Sequence, residues 1–300
     1  MGRVVELPRT GRLFVATDFQ GNARDFSQMA TIFRHAARRS QDVHLVLTGD
    51  LVHGPEIPES QWPDYLGTYY QADSLAVVEE AEALTEEFPG RVHCLLGNHE
   101  HAHVGGPVVS KFFPDEAGRL ESLMGKARAK RLKKWLASWP LVAFAPEAQL
   151  LMVHGAPHAV LEHRSDLDRV ELDAGEGVVD EILADILWPR STSSKRARSF
   201  LAAIDSDLRV ALYGHDVARE GHAIDREPLL CVSTSFGCFD GDKVYLDWPL
   251  DEPAVTAQNL AARGLRPLWP EARPVYRKPV SGGVTSPPPR ASSSSRRRAV

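Results

Sequence analysis

Arg91-Val92-His93-Cys94-Leu95-Leu96-Gly97-Asn98-His99-Glu100 reads as a short apolar strand that stops at a glycine and releases an amide, an imidazole and a carboxylate. In open α/β sheets the carboxyl edge of the strands is where ligands bind, because core packing ends there and loop side chains converge. Asn98 offers a neutral oxygen ligand, and His99 can give or take a proton near neutral pH. The same pattern occurs twice upstream. Leu13 to Thr17 reads as a buried strand ending in Asp18-Phe19-Gln20-Gly21-Asn22, followed by a helix with Phe26, Met29, Ile32, Phe33 and Ala36 at three-and-four spacing. Val43 to Thr48 ends in Gly49-Asp50, and beyond a proline-rich loop an amphipathic helix is expected from about Asp64 to Phe88. Three strand–loop–helix units in a row predict a parallel sheet with helical crossovers, an α/β fold (α+β by some schemes).

Further along, the chain changes character. Gly118 to Trp139 is expected to be helical, with a basic exposed face. Leu141–Phe144 and Leu150–Val153 read as paired strands that end in His154-Gly155. Helices are expected over Val178 to Leu187 and Ala197 to Ile204, and the strand Leu208–Tyr213 ends in Gly214-His215. Strands at Leu229–Ser233 and Lys243–Asp247 complete the expected core. Five strand ends thus carry Asp18, Asp50, Asn98, His154 and His215. Carboxylate, imidazole and amide oxygen together suit divalent ions such as Mn²⁺, Fe²⁺ or Zn²⁺. An Asp bridging two such cations about 4 Å apart suits in-line attack on phosphorus.

Composition narrows the remaining classes. Across 300 residues, a formal net charge of -5 gives no bias toward nucleic acid or an anionic membrane. The three cysteines, Cys94, Cys231 and Cys238, form no Cys-x-x-Cys pair and suggest no disulfide framework, which fits a reducing compartment. The start lacks the apolar core of a signal peptide, and the run Leu141 to Val153 is broken by Pro146, Glu147 and Gln149, so a cytoplasmic protein is expected. Apolar periodicity fades beyond about Pro249. We therefore expect a domain over 1–250 and an extension over 251–300, whose Pro-, Ser- and Arg-rich tail from about 278 cannot bury enough apolar surface to order itself. Its functional reading is a weak contact to an anionic partner.

Read together, the motifs resemble those of calcineurin-like metallophosphoesterases, and within them the phosphoprotein phosphatases. That family reads Gly-Asp-x-His-Gly, Gly-Asp-x-Val-Asp-Arg-Gly, Gly-Asn-His-Glu, His-Gly-Gly and Ala-His. Here stand Thr17-Asp18-Phe19-Gln20-Gly21, Gly49-Asp50-Leu51-Val52-His53-Gly54, Gly97-Asn98-His99-Glu100, His154-Gly155-Ala156 and Gly214-His215. Lys111-Phe112-Phe113-Pro114-Asp115-Glu116 is similar to the family's Tyr-Gly-Phe-Tyr-Asp-Glu, and the similarity covers roughly residues 12 to 250. It implies two β-sheets sandwiched between helices and two divalent cations, Mn²⁺ first, with Fe or Zn as alternatives. The first would be held by Asp18, Gln20 and Asp50, the second by Asp50, Asn98, His154 and His215. A hydroxide between them would attack phosphorus, and His99 would protonate the leaving oxygen. The implied substrate is a phosphomonoester on protein Ser, Thr or Tyr, or a small phosphate ester.

The departures are specific. Gln20 stands where the family has a ligand histidine, and Val217 where many relatives have another. His53-Gly54 replaces the family's Asp-Arg, in which the Asp orients the acid histidine and the Arg grips phosphate; His53 could take over part of either role. Arg196-Ala197-Arg198-Ser199-Phe200 resembles the family's Arg-x-x-Ser-Phe and points to Arg196 as the phosphate-gripping group, with Arg198 next. His101 and His103 could line the mouth of the cleft. Two other readings stay open: a dinucleoside polyphosphate hydrolase, from Leu47 to Pro55, and a pseudophosphatase that binds phosphorylated partners without turnover, from Gln20 and the missing Arg.

Overall fold

The computed structural model describes residues 2–173, 175 and 179–278. The tail expected beyond 278, and Val178, lie outside the described residues. Alternation along the strands builds two sheets. The first has the order β11-β10-β2-β3-β4. Its β2 (Arg12–Ala16), β3 (Val43–Leu47) and β4 (Val92–Cys94) run parallel, β10 (Val244–Pro249) lies antiparallel to β2, and β11 (Leu265–Pro267) antiparallel to β10. The second has the order β1-β5-β6-β7-β9-β8, with β1 (Val4–Glu6), β5 (Val142–Ala145), β6 (Leu150–Val153), β7 (Val210–Tyr213), β8 (His222–Ala223) and β9 (Leu229–Val232).

Period two decides where each side chain goes. Leu13 and Val15 of β2 share one buried cluster with Leu150 and Met152 of β6 and Val210 and Leu212 of β7, between the sheets. Phe14 and Ala16 of β2, with Leu151 and Val153 of β6, join the cluster that includes the outer helices. Those helices are α1 (Ala23–Arg39), α2 (Ser74–Glu87), α3 (Asn98–His101), α4 (Glu116–Met124), α5 (Lys126–Leu136), α6 (Glu181–Leu187), α7 (Ser194–Ile204) and α8 (Ala257–Gly264). The fold is the two-sheet sandwich flanked by helices that the resemblance implied. None of these helices is long and apolar enough to cross a membrane.

Three boundaries differ from the sequence reading, each for a local reason. The helix expected from Asp64 begins at Ser74, capped by Asp73, which accepts from the Ala76 N–H. Residues 64–66 form only a 3₁₀ turn that ends at Gly67. The helix over 118–139 is two, because Gly125 adopts φ 74° between α4 and α5. Beyond Pro249, where apolar periodicity is weak, α8 still packs Ala257, Leu260 and Ala261 against Trp248, and β11 adds an edge strand.

Register sets the site. Ala16 pairs with Leu47, and Leu47 with Cys94, so the segments carrying Asp18, Asp50 and Asn98 leave the first sheet side by side. Val153 pairs with Tyr213, which does the same for His154 and His215 in the second.

Candidate metal centre

The two sheets meet at these strand ends. The backbone N–H of His215 donates to both Asp18 carboxylate oxygens at 2.9 and 3.0 Å. His154 donates Nδ1–H to the Thr48 carbonyl at 2.9 Å, which leaves its Nε2 lone pair facing inward. That nitrogen lies 2.9 Å from Asn98 Oδ1, 3.2 Å from His215 Nδ1 and 3.3 Å from Asp50 Oδ1. Four atoms with lone pairs thus converge on one point. Burial lowers the pKa of both His154 and His215, the latter to about 3 with the neighbouring His154 adding to it, so both rings are neutral ligands. Burial works against the Asp50 carboxylate, yet the imidazoles around it, of which His99 is the one whose own pKa is raised, hold it below the usual range. A divalent cation matches this donor set.

The backbone is strained where these groups sit. Among the described residues six non-glycine residues adopt left-handed φ, and five are Asp18 (50°), Gln20 (42°), Asp50 (53°), His53 (66°) and His215 (64°). Each such residue costs on the order of 1–3 kcal/mol, and strain of this kind concentrates at functional sites. Glu100 holds one of the turns: its buried carboxylate accepts from the N–H groups of Asp50, Leu51, Val52 and Gly97. Gly97 itself is extended at φ -100°, so a left-handed turn is not what requires glycine there. A Cβ at this position would collide with the Asp50 backbone and carboxylate, and close approach is the reason.

Beside Asp50 lies a second cluster. His99 donates its N–H to Asp50 Oδ1 at 3.2 Å and places Nε2 3.8 Å from Asp50 Oδ2. Its Nδ1 faces His53 Nδ1 at 3.2 Å and Glu116 Oε2 at 3.4 Å. Burial alone would lower the His99 pKa, but Asp50 and Glu116 outweigh it and raise the value. His53 continues to His103 (Nε2 to Nε2, 3.0 Å), and His103 Nδ1 to Glu121 at 2.9 Å.

The sequence profile of the calcineurin-like phosphoesterases matches residues 11–256. The chain belongs to this family. Among solved structures it is similar to a protein serine/threonine phosphatase from Saccharomyces cerevisiae, at 16% identity and TM-score 0.56 over 82% of this chain and 76% of that one. It is likewise similar to a cold-active protein-tyrosine phosphatase of a Shewanella species, at 14% identity and TM-score 0.53 over 82% and 77%. No curated protein matches the sequence.

For a calcineurin-like phosphoesterase, two adjacent groups of potential ligands are informative: Asp50, His154 and His215, and His53, His99 and Glu116, each with ligand atoms within 4.8 Å of one another. Clusters of this composition on this fold support a metal-dependent phosphoesterase. The structure brings Asp18, Gln20, Asp50, His53, Asn98, His99, His154 and His215 into one contiguous site. It does not bring Arg196 there: that guanidinium, on the outer helix α7, donates to the His158 carbonyl at 2.8 Å. Arg190 lies close enough to act on the charge of His215, is paired with Asp216 at 2.9 Å, and borders a cleft of about 550 Å³ with Lys111, Arg219, Phe112 and Phe236. His101 and His103, read as mouth residues, are both buried, and His101 bonds the Leu172 carbonyl instead.

Glu116, Glu121, Lys111 and Arg190 were missed as site residues, and His103 was read as lining the mouth rather than as part of the buried series. Glu116 and Lys111 bound the stretch similar to the family's Tyr-Gly-Phe-Tyr-Asp-Glu, and that similarity was the available signal. Arg190, after Trp188-Pro189, carried none.

Proposed function

We propose that the chain hydrolyses phosphomonoesters, phosphoproteins bearing Ser, Thr or Tyr phosphate first, in the manner of the phosphoprotein phosphatases. One observation carries the reading: His99 stands against Asp50 with Nε2 toward the cation-binding groups and Nδ1 anchored by Glu116 and His53. That arrangement supplies a proton donor for a leaving oxygen beside the site of attack. Asp50, Asn98, His154 and His215 would hold a divalent cation, Mn²⁺ first, which would supply Lewis-acid polarisation of a phosphoryl oxygen and acidify water for use at neutral pH. Arg190 and Lys111, across the cleft wall, attract the phosphate dianion. Arg190 replaces Arg196 in this role because Arg196 is committed to a backbone carbonyl.

The test is a Mn²⁺-supplemented assay on phosphotyrosyl and phosphothreonyl peptides in parallel with diadenosine tetraphosphate. Release of inorganic phosphate from a peptide is expected. Turnover of the dinucleotide alone would overturn the substrate class, and phosphopeptide binding without any turnover would make the chain a binding protein.

A further inference from the structure

The donor set on the Asp18 side of Asp50 differs from the one on the His154 side. A first cation there would draw on Asp18, Gln20 and Asp50. In the structure the Gln20 amide is committed at both ends: Oε1 accepts from the Lys111 ammonium at 3.1 Å, and Nε2 donates to Asp50 Oδ2 at 3.3 Å. Turning the amide over would place its NH₂ group against an ammonium that has only donors, so Lys111 fixes the orientation. The amide oxygen thus points to a protein cation. Val217, the position that would carry another imidazole, packs an isopropyl group at the cleft wall. Among the described residues, no group of three converging His, Cys, Asp or Glu ligands includes Asp18.

Lys111 is held in this place. Its Nζ lies 3.9 Å from the centre of the Phe236 ring and 5.0 Å from that of Phe112. Aromatic faces attract an ammonium, more strongly where water is excluded. Burial lowers its pKa below the usual lysine range, while the facing carboxylates of Asp50 and Asp18 favour the charged form. Burial and the neighbouring Asp50 push the Asp18 carboxyl well above the usual carboxylate range; hydrogen bonds from the His215 N–H and the Lys111 charge oppose that shift.

We propose that this chain holds one divalent cation, at Asp50, Asn98, His154 and His215, and that the Lys111 ammonium supplies the positive charge beside Asp18, Gln20 and Asp50 in place of a second. The inference rests on the phosphoesterase reading and deepens it. One dication and one ammonium against the carboxylates of Asp18 and Asp50 leave the site net positive, as a phosphate dianion requires. The lysine charge cannot be removed by chelators, and it lies on the same cleft as Arg190 and Arg219.

Counting metal tests the idea directly. Protein stripped by chelator is titrated with MnCl₂ alone; bound metal is measured by mass spectrometry after desalting, and paired ions are read from their exchange-coupled EPR spectrum. The wild type is expected to bind one Mn²⁺ per chain with no coupled signal. Lys111→Met should raise affinity for a second Mn²⁺ on the order of tenfold, since a like charge is removed from two carboxylates. Lys111→Arg, which keeps the charge, should remain at one. Gln20→His combined with Lys111→Met should bind two, with the coupled spectrum. Two coupled ions in the wild type would overturn the proposal. So would a double variant that folds, by circular dichroism, and still binds one. A wild type that binds no Mn²⁺ would instead remove the cation site itself and the proposed function with it.

Discussion

Asp50 has two flanks, and they are built differently. On one, His154 and His215 follow the ends of β6 and β7 and Asn98 opens α3 just beyond β4, and the sheet registers bring Asn98 Oδ1, His215 Nδ1 and Asp50 Oδ1 to within 3.3 Å of His154 Nε2. On the other, His99 comes from a four-residue helix, His53 from a loop and Glu116 from the first residue of α4. The strand-end flank keeps the family's residue types. The loop-and-helix flank has been rewired: where the resemblance puts an Asp at position 53, His53 stands, and the carboxylate that reaches His99 comes from Glu116. Strand ends are held by many backbone hydrogen bonds, so a ligand there is hard to replace. A group that only orients another can be supplied from any neighbouring element.

The comparison breaks first at the cation. His154→Ala removes a ligand whose other nitrogen bonds the Thr48 carbonyl. We expect turnover of an aryl phosphate to fall by about 10³-fold or more, equivalent to ~4 kcal/mol, and bound Mn²⁺ to be lost. Chelation of the wild type should match it and be reversed by added Mn²⁺. Retention of full activity in the metal-free protein would place the chemistry elsewhere.

His99→Ala separates the flanks. General acid catalysis contributes about 10²–10⁴-fold, so phenyl phosphate, a poor leaving group, should lose on the order of 10²–10³-fold. Bound Mn²⁺ should be unchanged, since His99 is outside the Asn98–His154–His215 set. 2,4-Dinitrophenyl phosphate, whose leaving group needs little protonation, should lose far less. Equal losses on both esters would deny His99 the role of proton donor.

What could be read from the sequence follows the same division. Strand period and the glycine-ended motifs placed Asp18, Asp50, Asn98, His154 and His215 at strand ends, because a two-residue alternation and a strand's last residue are both local properties. The two-sheet architecture came from the resemblance; periodicity alone pointed to parallel units and said nothing of how the second set of strands would stack. A helix start was misjudged at Asp64, where the capping Asp73 decides the boundary, and the single helix read over 118–139 is split by Gly125 at φ 74°. Arg196 was chosen by local similarity, yet α7 directs it to the His158 carbonyl. Glu116 was given no role and His103 was read only as a mouth residue, since their partners are 17 or more positions away and are met only through tertiary packing.

The smallest effect is the most discriminating, and it concerns the rewired flank. Glu121 is paired with Lys133 at 2.8 Å, so it can only accept from His103 Nδ1–H. His103 Nε2 must then accept from His53 Nε2–H, which leaves His53 Nδ1 to accept from His99 Nδ1–H. Glu116 Oε2, buried and otherwise without a partner, faces that same proton. The bridging N–H groups of the series therefore all point away from Asp50, and the proton His99 can donate is the one on Nε2, toward the substrate side. Glu116→Gln keeps the shape and removes the charge. We expect about a tenfold fall in phenyl phosphate turnover relative to 2,4-dinitrophenyl phosphate, ~1.4 kcal/mol. Because Glu116 acts through His99, the substitution should add nothing further in a His99→Ala background. Additive losses, or an equal loss on both esters, would show that Glu116 supports the loop rather than the histidine, and the contrast between the two flanks of Asp50 would then reduce to one of packing.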